Sequence, residues 1–244
     1  MEKIRVTIWN ENFHDKKDYV KEHYGEGGMH GAIKEALDAD GRFETRIATL
    51  DMPECGLTDE VLDSTDVLFW WGHVKHGDVP DELVDKIHKR VLRGMGLVVL
   101  HSGHFSKIFK KLMGTGCNLK WRFDKDVEKV WTVNPSHPIA RGIPQYFELE
   151  REEMYGEHFD IPAPDELVFV SWFSGGEVFR SGCTFRRGNG KIFYFRPGHE
   201  TVPTYKNEYV RKILVNGALW AKPDGAVFQD YGQFIDGKSA EYKG

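Results

Sequence analysis

The sequence predicts an α/β protein: strands and helices alternate around a mainly parallel sheet in the first half, and the second half adds antiparallel strands. Three observations carry this. Apolar runs such as Leu97-Val98-Val99-Leu100, bounded by Gly96, read as strands covered on both faces, as parallel sheets require. Segments with helix-start signals lie between these runs. Beyond Lys120 the strand-like runs follow one another, mostly without helices between them.

Ile4 to Asn10 opens the chain as a strand, and after a loop a helix runs from near Gly28 to about Ala39. Phe43 to Leu50 is the second strand and Leu57 to Asp63 a short helix. Val67 to Trp71 is the third strand. The helix from Pro80 to Leu92 places proline in its first turn, where a missing N–H costs nothing. Gly96 to Leu100 is the fourth strand, followed by a helix from Phe105 to Met113. Such alternation implies right-handed βαβ units. Lys120 to Val133, Glu148 to Tyr155, Leu167 to Phe173, Val178 to Arg186 and Lys191 to Arg196 then read as strands. Arg187-Gly188-Asn189-Gly190 joins the last two, since its Gly and Asn tolerate the positive φ of a hairpin turn. Thr204 to Ala221 is the final helix. One domain over residues 1–222 is expected, with a polar tail over 223–244 that is either disordered or an arm on a neighbouring subunit.

Composition narrows the partners. The 244 residues carry 38 acidic and 33 basic side chains, a formal charge of −5, with no concentrated Lys/Arg block. That argues against nucleic acid. Cys55, Cys117 and Cys183 are far apart and form no disulfide framework, which fits a reducing compartment. A strand beginning at Ile4 leaves no room for a signal peptide, and no apolar run approaches the ~18 residues of a membrane span. A cytoplasmic protein without a membrane partner is expected. The Trp-ended last helix and polar tail make a homo-oligomer the expected state. The loop Gly25 to Gly31 matches neither a P-loop nor a GxGxxG fingerprint, so it reads as a tight connection and no nucleotide cofactor is expected.

In open α/β sheets ligands bind beyond the carboxyl ends of the strands. His14 follows the first strand, His30 starts the first helix, His73 ends the third strand, His101 and His104 end the fourth, and His199 follows a late strand. Six of eleven histidines therefore fall on one edge. His23, His76, His88 and His137 read as ordinary loop or surface residues, while Glu157 beside His158 could supply a carboxylate. Three chemistries suit clustered imidazoles: a catalytic zinc site, metal-free acid–base work by a histidine pair, or a serine nucleophile at Ser102. The last lacks its Gly-x-Ser-x-Gly elbow, since Leu100 and His104 occupy the glycine positions.

Asn10-Glu11-Asn12, Tyr24 to His30, Trp71-Gly72-His73, Leu100-His101-Ser102-Gly103, His137-Pro138-Ile139 and Pro197-Gly198-His199 together resemble the ThuA-like proteins, associated with trehalose utilisation. The resemblance implies a flavodoxin-like three-layer domain of the class I glutamine amidotransferase-like superfamily and a role in sugar catabolism. Amidotransferases of that fold carry Cys-x-Gly-His where this chain has His101-Ser102-Gly103-His104, and His-Pro-Glu where it has His199-Glu200. Without the nucleophilic thiolate, glutaminase activity does not carry over. The expected function is thus a sugar-processing enzyme of disaccharide catabolism, with a carbohydrate as its small-molecule partner. A divalent metal, zinc favoured, is expected on His30, His101 and His199, with His73 in reserve. The expected catalytic residues are His101, His104, His199 and Glu157, with His104 or Glu157 as base. Asn10, Asn12, Trp71, His73, Ser102 and Trp121 are expected to bind substrate, the two tryptophans by stacking on a sugar ring. The alternative is a non-catalytic sugar-binding or sensing module.

Overall fold

In the computed structural model, which describes residues 2–225, the alternating pattern folds as one nine-stranded sheet. The first half supplies β1 (Ile4–Asn10), α1 (Asp18–Tyr24), α2 (Gly28–Asp38), β2 (Phe43–Thr49), α3 (Asp59–Asp63), β3 (Val67–Trp71), α4 (Asp81–Arg93), β4 (Gly96–Leu100) and α5 (Lys107–Met113). The second half supplies β5 (Lys120–Thr132), β6 (Tyr146–Gly156), β7 (Glu166–Phe173), β8 (Val178–Arg187), β9 (Gly190–Phe195) and α6 (Glu208–Ala221). The strand order is β2-β1-β3-β4-β9-β8-β7-β5-β6. Strands β2, β1, β3, β4 and β9 pair in parallel. Antiparallel pairs join the other four to β9 and to one another. The sheet is therefore mixed, with its parallel half at the end that carries β1 to β4.

Alternate residues of the central strands feed two cores, which is why these runs are apolar throughout. Leu68, Trp70, Leu97 and Val99 pack with Leu83, Ile87 and Val91 of α4 and Ile108 and Phe109 of α5. Val67, Phe69, Val98 and Leu100 pack on the other face with Ile33 and Leu37 of α2 and Ile213 and Leu214 of α6. At Gly96 a Cβ would lie 2.3 Å from the carbonyl oxygen of Ala221, so glycine is required where β4 meets the end of α6.

Caps decide several helix starts. Ser106 accepts the Phe109 N–H and Asn207 accepts those of Tyr209 and Val210. The expected helix at Phe105 thus starts at Lys107, behind a 3₁₀ turn over His101–Phe105. The expected helix at Thr204 starts at Glu208, behind a similar turn over Thr204–Lys206. Helix α1 has no counterpart among the expected elements: with only Val20 and Tyr24 buried over seven residues, it leaves too short a periodic signal. The expected polar tail lies outside the described residues from 226 onward. Among the described residues no helix is long and apolar enough to cross a membrane.

Between β1 and β3 the chain reverses its direction of travel across the sheet, since β2 lies on one side of β1 and β3 on the other. Crevices for ligands open at the carboxyl ends of strands at such a switch point. Asn10, Trp71 and Leu100 end β1, β3 and β4 there.

Candidate functional site

His101 opens the 3₁₀ turn that follows β4 at this edge. Its φ of 49° lies in the left-handed region, uncommon for a residue with a Cβ and costly unless the surroundings hold it. Gly103 lets the turn press on β3: a Cβ there would lie 3.1 Å from the Trp70 carbonyl and 3.0 Å from Val99. The fully buried His101 ring donates from Nδ1 to the Arg196 carbonyl at 2.9 Å, and its Nε2 lies 3.1 Å from Glu153 Oε2. Tyr155 stacks on it, with centroids 5.0 Å apart and planes at 14°. The His199 ring stands edge-on at 5.5 Å.

A second group adjoins the first. His14 Nε2 lies 3.2 Å from His73 Nδ1, which is 3.4 Å from Glu200 Oε2. The ring of His73 is 6.2 Å from that of His101 and 6.0 Å from that of His199. Buried Glu11 positions the His73 loop, because its carboxylate accepts the backbone N–H groups of His73 at 2.7 Å, Val74 at 3.1 Å and Lys75 at 2.9 Å. Four histidines and two carboxylates thus form a continuous array under the strand ends.

The environment fixes the protonation states. Burial opposes ionisation of Glu153 and Glu200, yet the surrounding imidazoles outweigh it and lower both carboxyl pKa values. Burial and the neighbouring His101 push His199 down to about 4, so its ring is neutral at physiological pH. Burial likewise lowers His14. For His73 the same penalty is outweighed by Glu200, with Glu153 and Glu11 adding, and its pKa rises. His199 Nδ1 faces the Thr201 hydroxyl at 2.8 Å and the Thr201 N–H at 3.3 Å. Because Nδ1 accepts the Thr201 N–H, the ring carries its proton on Nε2 and is a donor to substrate; Nε2 becomes free as a ligand only if the proton moves to Nδ1, facing the Thr201 hydroxyl.

The array opens into a cleft of about 320 Å³ lined by His73, Ser102, His104, Trp121, Phe123 and His199, among others. A larger cavity, about 500 Å³ around Glu148–Arg151 and Thr201–Thr204, does not include the histidine array. Phe123 stacks on His199 at 4.4 Å, and Trp121 is 65% exposed at the rim.

Of the residues expected from sequence, His101 and His199 come together, with His73 beside them. His30 does not join them in either ligand cluster among the described residues. It faces Asp15 instead, Nδ1 to Oδ1 3.1 Å. His104 lines the cleft, but its Nδ1 donates to the Cys117 carbonyl at 2.8 Å and burial pushes its pKa down to about 3. Glu157 is held by Arg180 Nε at 2.9 Å and by the Phe159 N–H at 2.8 Å, and it joins neither ligand cluster among the described residues. Trp71 is buried, its indole N–H donating to the Gly198 carbonyl at 3.1 Å, so the flat surface at the cleft comes from Trp121 and Phe123. Ser102 donates its hydroxyl to the Gly72 carbonyl at 2.8 Å, and no histidine nitrogen bonds it. Asn10 accepts the Asn12 N–H, and Asn12 reaches Asp51 at 3.2 Å, so both shape the loop after β1.

Sequence reasoning missed Glu153, Glu11 and Phe123. Local sequence does not single out the first, which closes the charged run Glu150-Arg151-Glu152-Glu153. Glu11 directly follows β1 and shared its address. Phe123 sits on a strand whose neighbouring residues are largely exposed, and nothing local marks it.

The sequence matches the family model ThuA, described as trehalose utilisation, over residues 5–221. No curated protein matches it. Among solved structures, one described as a ThuA-like protein from Parabacteroides merdae superposes with a TM-score of 0.69 at 16% identity, covering 94% of this chain and 93% of that one. Another, from Bacteroides uniformis, gives 0.64 at 16% identity over 90% and 91%. A protein described as cytoplasmic, from Salmonella typhimurium, gives 0.60 at 12% identity over 90% and 100%. At these identities the likeness is one of fold.

Proposed function

The chain belongs to the ThuA family of trehalose utilisation, and on that premise we propose that it is a carbohydrate-acting enzyme whose reaction runs on His101, Glu153 and His199. The observation that supports this most is the meeting of those three buried side chains, of which Glu153 and His199 line a cleft with an aromatic rim while His101 lies directly behind them. A glutaminase reading has no support, because the turn that would present a thiolate carries an imidazole.

The donor set fits a divalent ion, zinc favoured. His101 is anchored through Nδ1 to a backbone carbonyl, the outer-shell contact that leaves Nε2 for a metal. Glu153 Oε2 is buried with no hydrogen-bond partner. The three ligand atoms lie within 4.8 Å of one another. A bound ion would supply a Lewis acid and a water acidified towards neutrality. The protein's own contribution is separable. Glu153 stays ionised beside His101, and the pair forms a base. Neutral His199 donates a hydrogen bond from Nε2; to hold an ion there it would carry its proton on Nδ1, facing the Thr201 hydroxyl. Trp121 and Phe123 cover the apolar face of a sugar ring while the polar edge reaches His73 and His199.

The test is incubation of tag-free protein with oxidised and unoxidised disaccharides, products being followed by mass spectrometry with and without chelator. Turnover that chelator abolishes supports metal-assisted chemistry. Turnover indifferent to chelator leaves the histidine–carboxylate chemistry and removes the ion. Binding without any product would contradict catalysis and favour a sugar-sensing module.

A further inference from the structure

The second histidine group takes no part in the acid–base chemistry proposed for His101, Glu153 and His199, although its His73 reaches the cleft where the sugar's polar edge would lie. His14, His73 and Glu200 come from three separate places in the chain: the loop after β1, the loop after β3 and the segment after β9. Their meeting is built rather than incidental. Glu11 spends its carboxylate on three consecutive backbone N–H groups to hold the His73 loop. His14 is oriented from behind by Tyr19, whose hydroxyl lies 2.6 Å from Nδ1, leaving Nε2 directed at His73. Glu200 is 94% buried, by a side-chain exposure of 6%, and its Oε2 has no hydrogen-bond partner.

We propose that His14, His73 and Glu200 form a second cation site, for a zinc-class divalent ion, beside the His101–Glu153–His199 set. Ligand atoms around a tetrahedral ion with bonds of 2.0–2.1 Å stand about 3.3 Å apart. Two separations match this, 3.2 Å from His14 Nε2 to His73 Nδ1 and 3.4 Å from His73 Nδ1 to Glu200 Oε2. All three ligand atoms lie within 4.8 Å of one another, and His14 also approaches Glu200 through Nδ1, 3.6 Å from Oε1. Two imidazoles and one carboxylate make a donor set that catalytic zinc sites use, with one position left open. His73 lines the cleft and is the most exposed of the three, so the open side faces the cleft. A hydroxyl or carbonyl oxygen of a carbohydrate is the chemistry that would complete the coordination there. A second ligand cluster joined to the first through consecutive residues, His199 and Glu200, gives a cleft equipped for two ions.

The site is tested by loading chelator-stripped, tag-free protein with Zn²⁺ and with Co²⁺. Bound ion is counted by elemental analysis, and the cobalt form is read by its visible absorption. Wild type should hold two equivalents, Glu200→Gln one and Glu153→Gln one. Because Glu200 is buried, His73→Gln on the partly exposed loop serves as a second variant and should also hold one. Melting curves confirm that each variant is folded. Wild type holding one equivalent that Glu153→Gln loses and Glu200→Gln and His73→Gln keep overturns the second site and spares the first. One equivalent lost in Glu200→Gln and His73→Gln but kept in Glu153→Gln supports the second site and overturns the ion proposed at His101. Wild type holding none overturns both.

Discussion

Arg196→Met should unfold the protein far more readily than its distance from solvent implies. Arg196, Glu128 and Glu152 are all fully buried, and one guanidinium faces both carboxylates. Burial pushes the Glu128 carboxyl up, Arg196 opposes that, and the Glu152 charge adds to the rise. Removing the only cation of the trio leaves two carboxyl groups in an apolar interior. Breaking a buried pair in this way costs about 3–5 kcal/mol. At roughly 2–4 °C per kcal/mol for a chain of this size, the melting temperature should fall by about 6–20 °C. Glu128→Gln is the counter-experiment, because it removes one of two negative groups that share one cation, and about 1 kcal/mol or less should be lost. A raised folded-state pKa contributes stability at low pH that disappears as pH rises through it. Wild type should therefore lose stability between the ordinary carboxyl range and neutrality from this group, and Glu128→Gln should lessen that loss. Urea denaturation followed by tryptophan fluorescence reads both variants. A loss below about 1 kcal/mol in Arg196→Met, or one matched by Glu128→Gln, would refute the reasoning. Activity should fall with stability, because the Arg196 carbonyl anchors His101 and its guanidinium bonds the Glu153 carbonyl.

Two further outcomes follow from the same physics. Glu11→Gln should weaken the grip on the His73 loop, so amide exchange at residues 73–75 should accelerate roughly tenfold or more, as expected for losing about 1.5 kcal/mol of charge-assisted hydrogen bonding; unchanged exchange would show that the loop holds itself. His104, pushed down to about 3 by burial, is neutral when folded and takes a proton when unfolded below about 6.5. Its contribution is complete above that pH and is lost as pH falls towards 3, at up to about 1.4 kcal/mol per pH unit. His104→Leu should flatten the acid limb of a stability–pH curve measured by urea denaturation, and an unchanged slope would contradict this.

Much of the site's address was legible and much of its wiring was not. Apolar runs ending in His73 and His101 place those rings at strand ends, because a strand covered on both faces has few other sequence patterns. Glu153 belongs to an antiparallel strand remote from β4 in the sheet order, and it reaches His101 only through packing between distant segments. Local periodicity carries no such information. His30 shows the converse: helix α2 starts where expected, but its imidazole pairs with Asp15 from the preceding loop. Residue type alone suggests Trp71 as a sugar platform, whereas its strand position fixes it in the core.

The most direct test is turnover by His101→Asn. Asparagine tolerates the left-handed backbone that His101 adopts, so this change removes the imidazole with little added strain. With a disaccharide substrate identified by mass spectrometry, kcat/KM should fall by at least about 10³-fold, the scale of losing a principal acid–base group, while the melting temperature stays within a few degrees of wild type. Retained turnover in a variant that is folded, or lost turnover explained by an equal loss of fold, would contradict a reaction centred on His101.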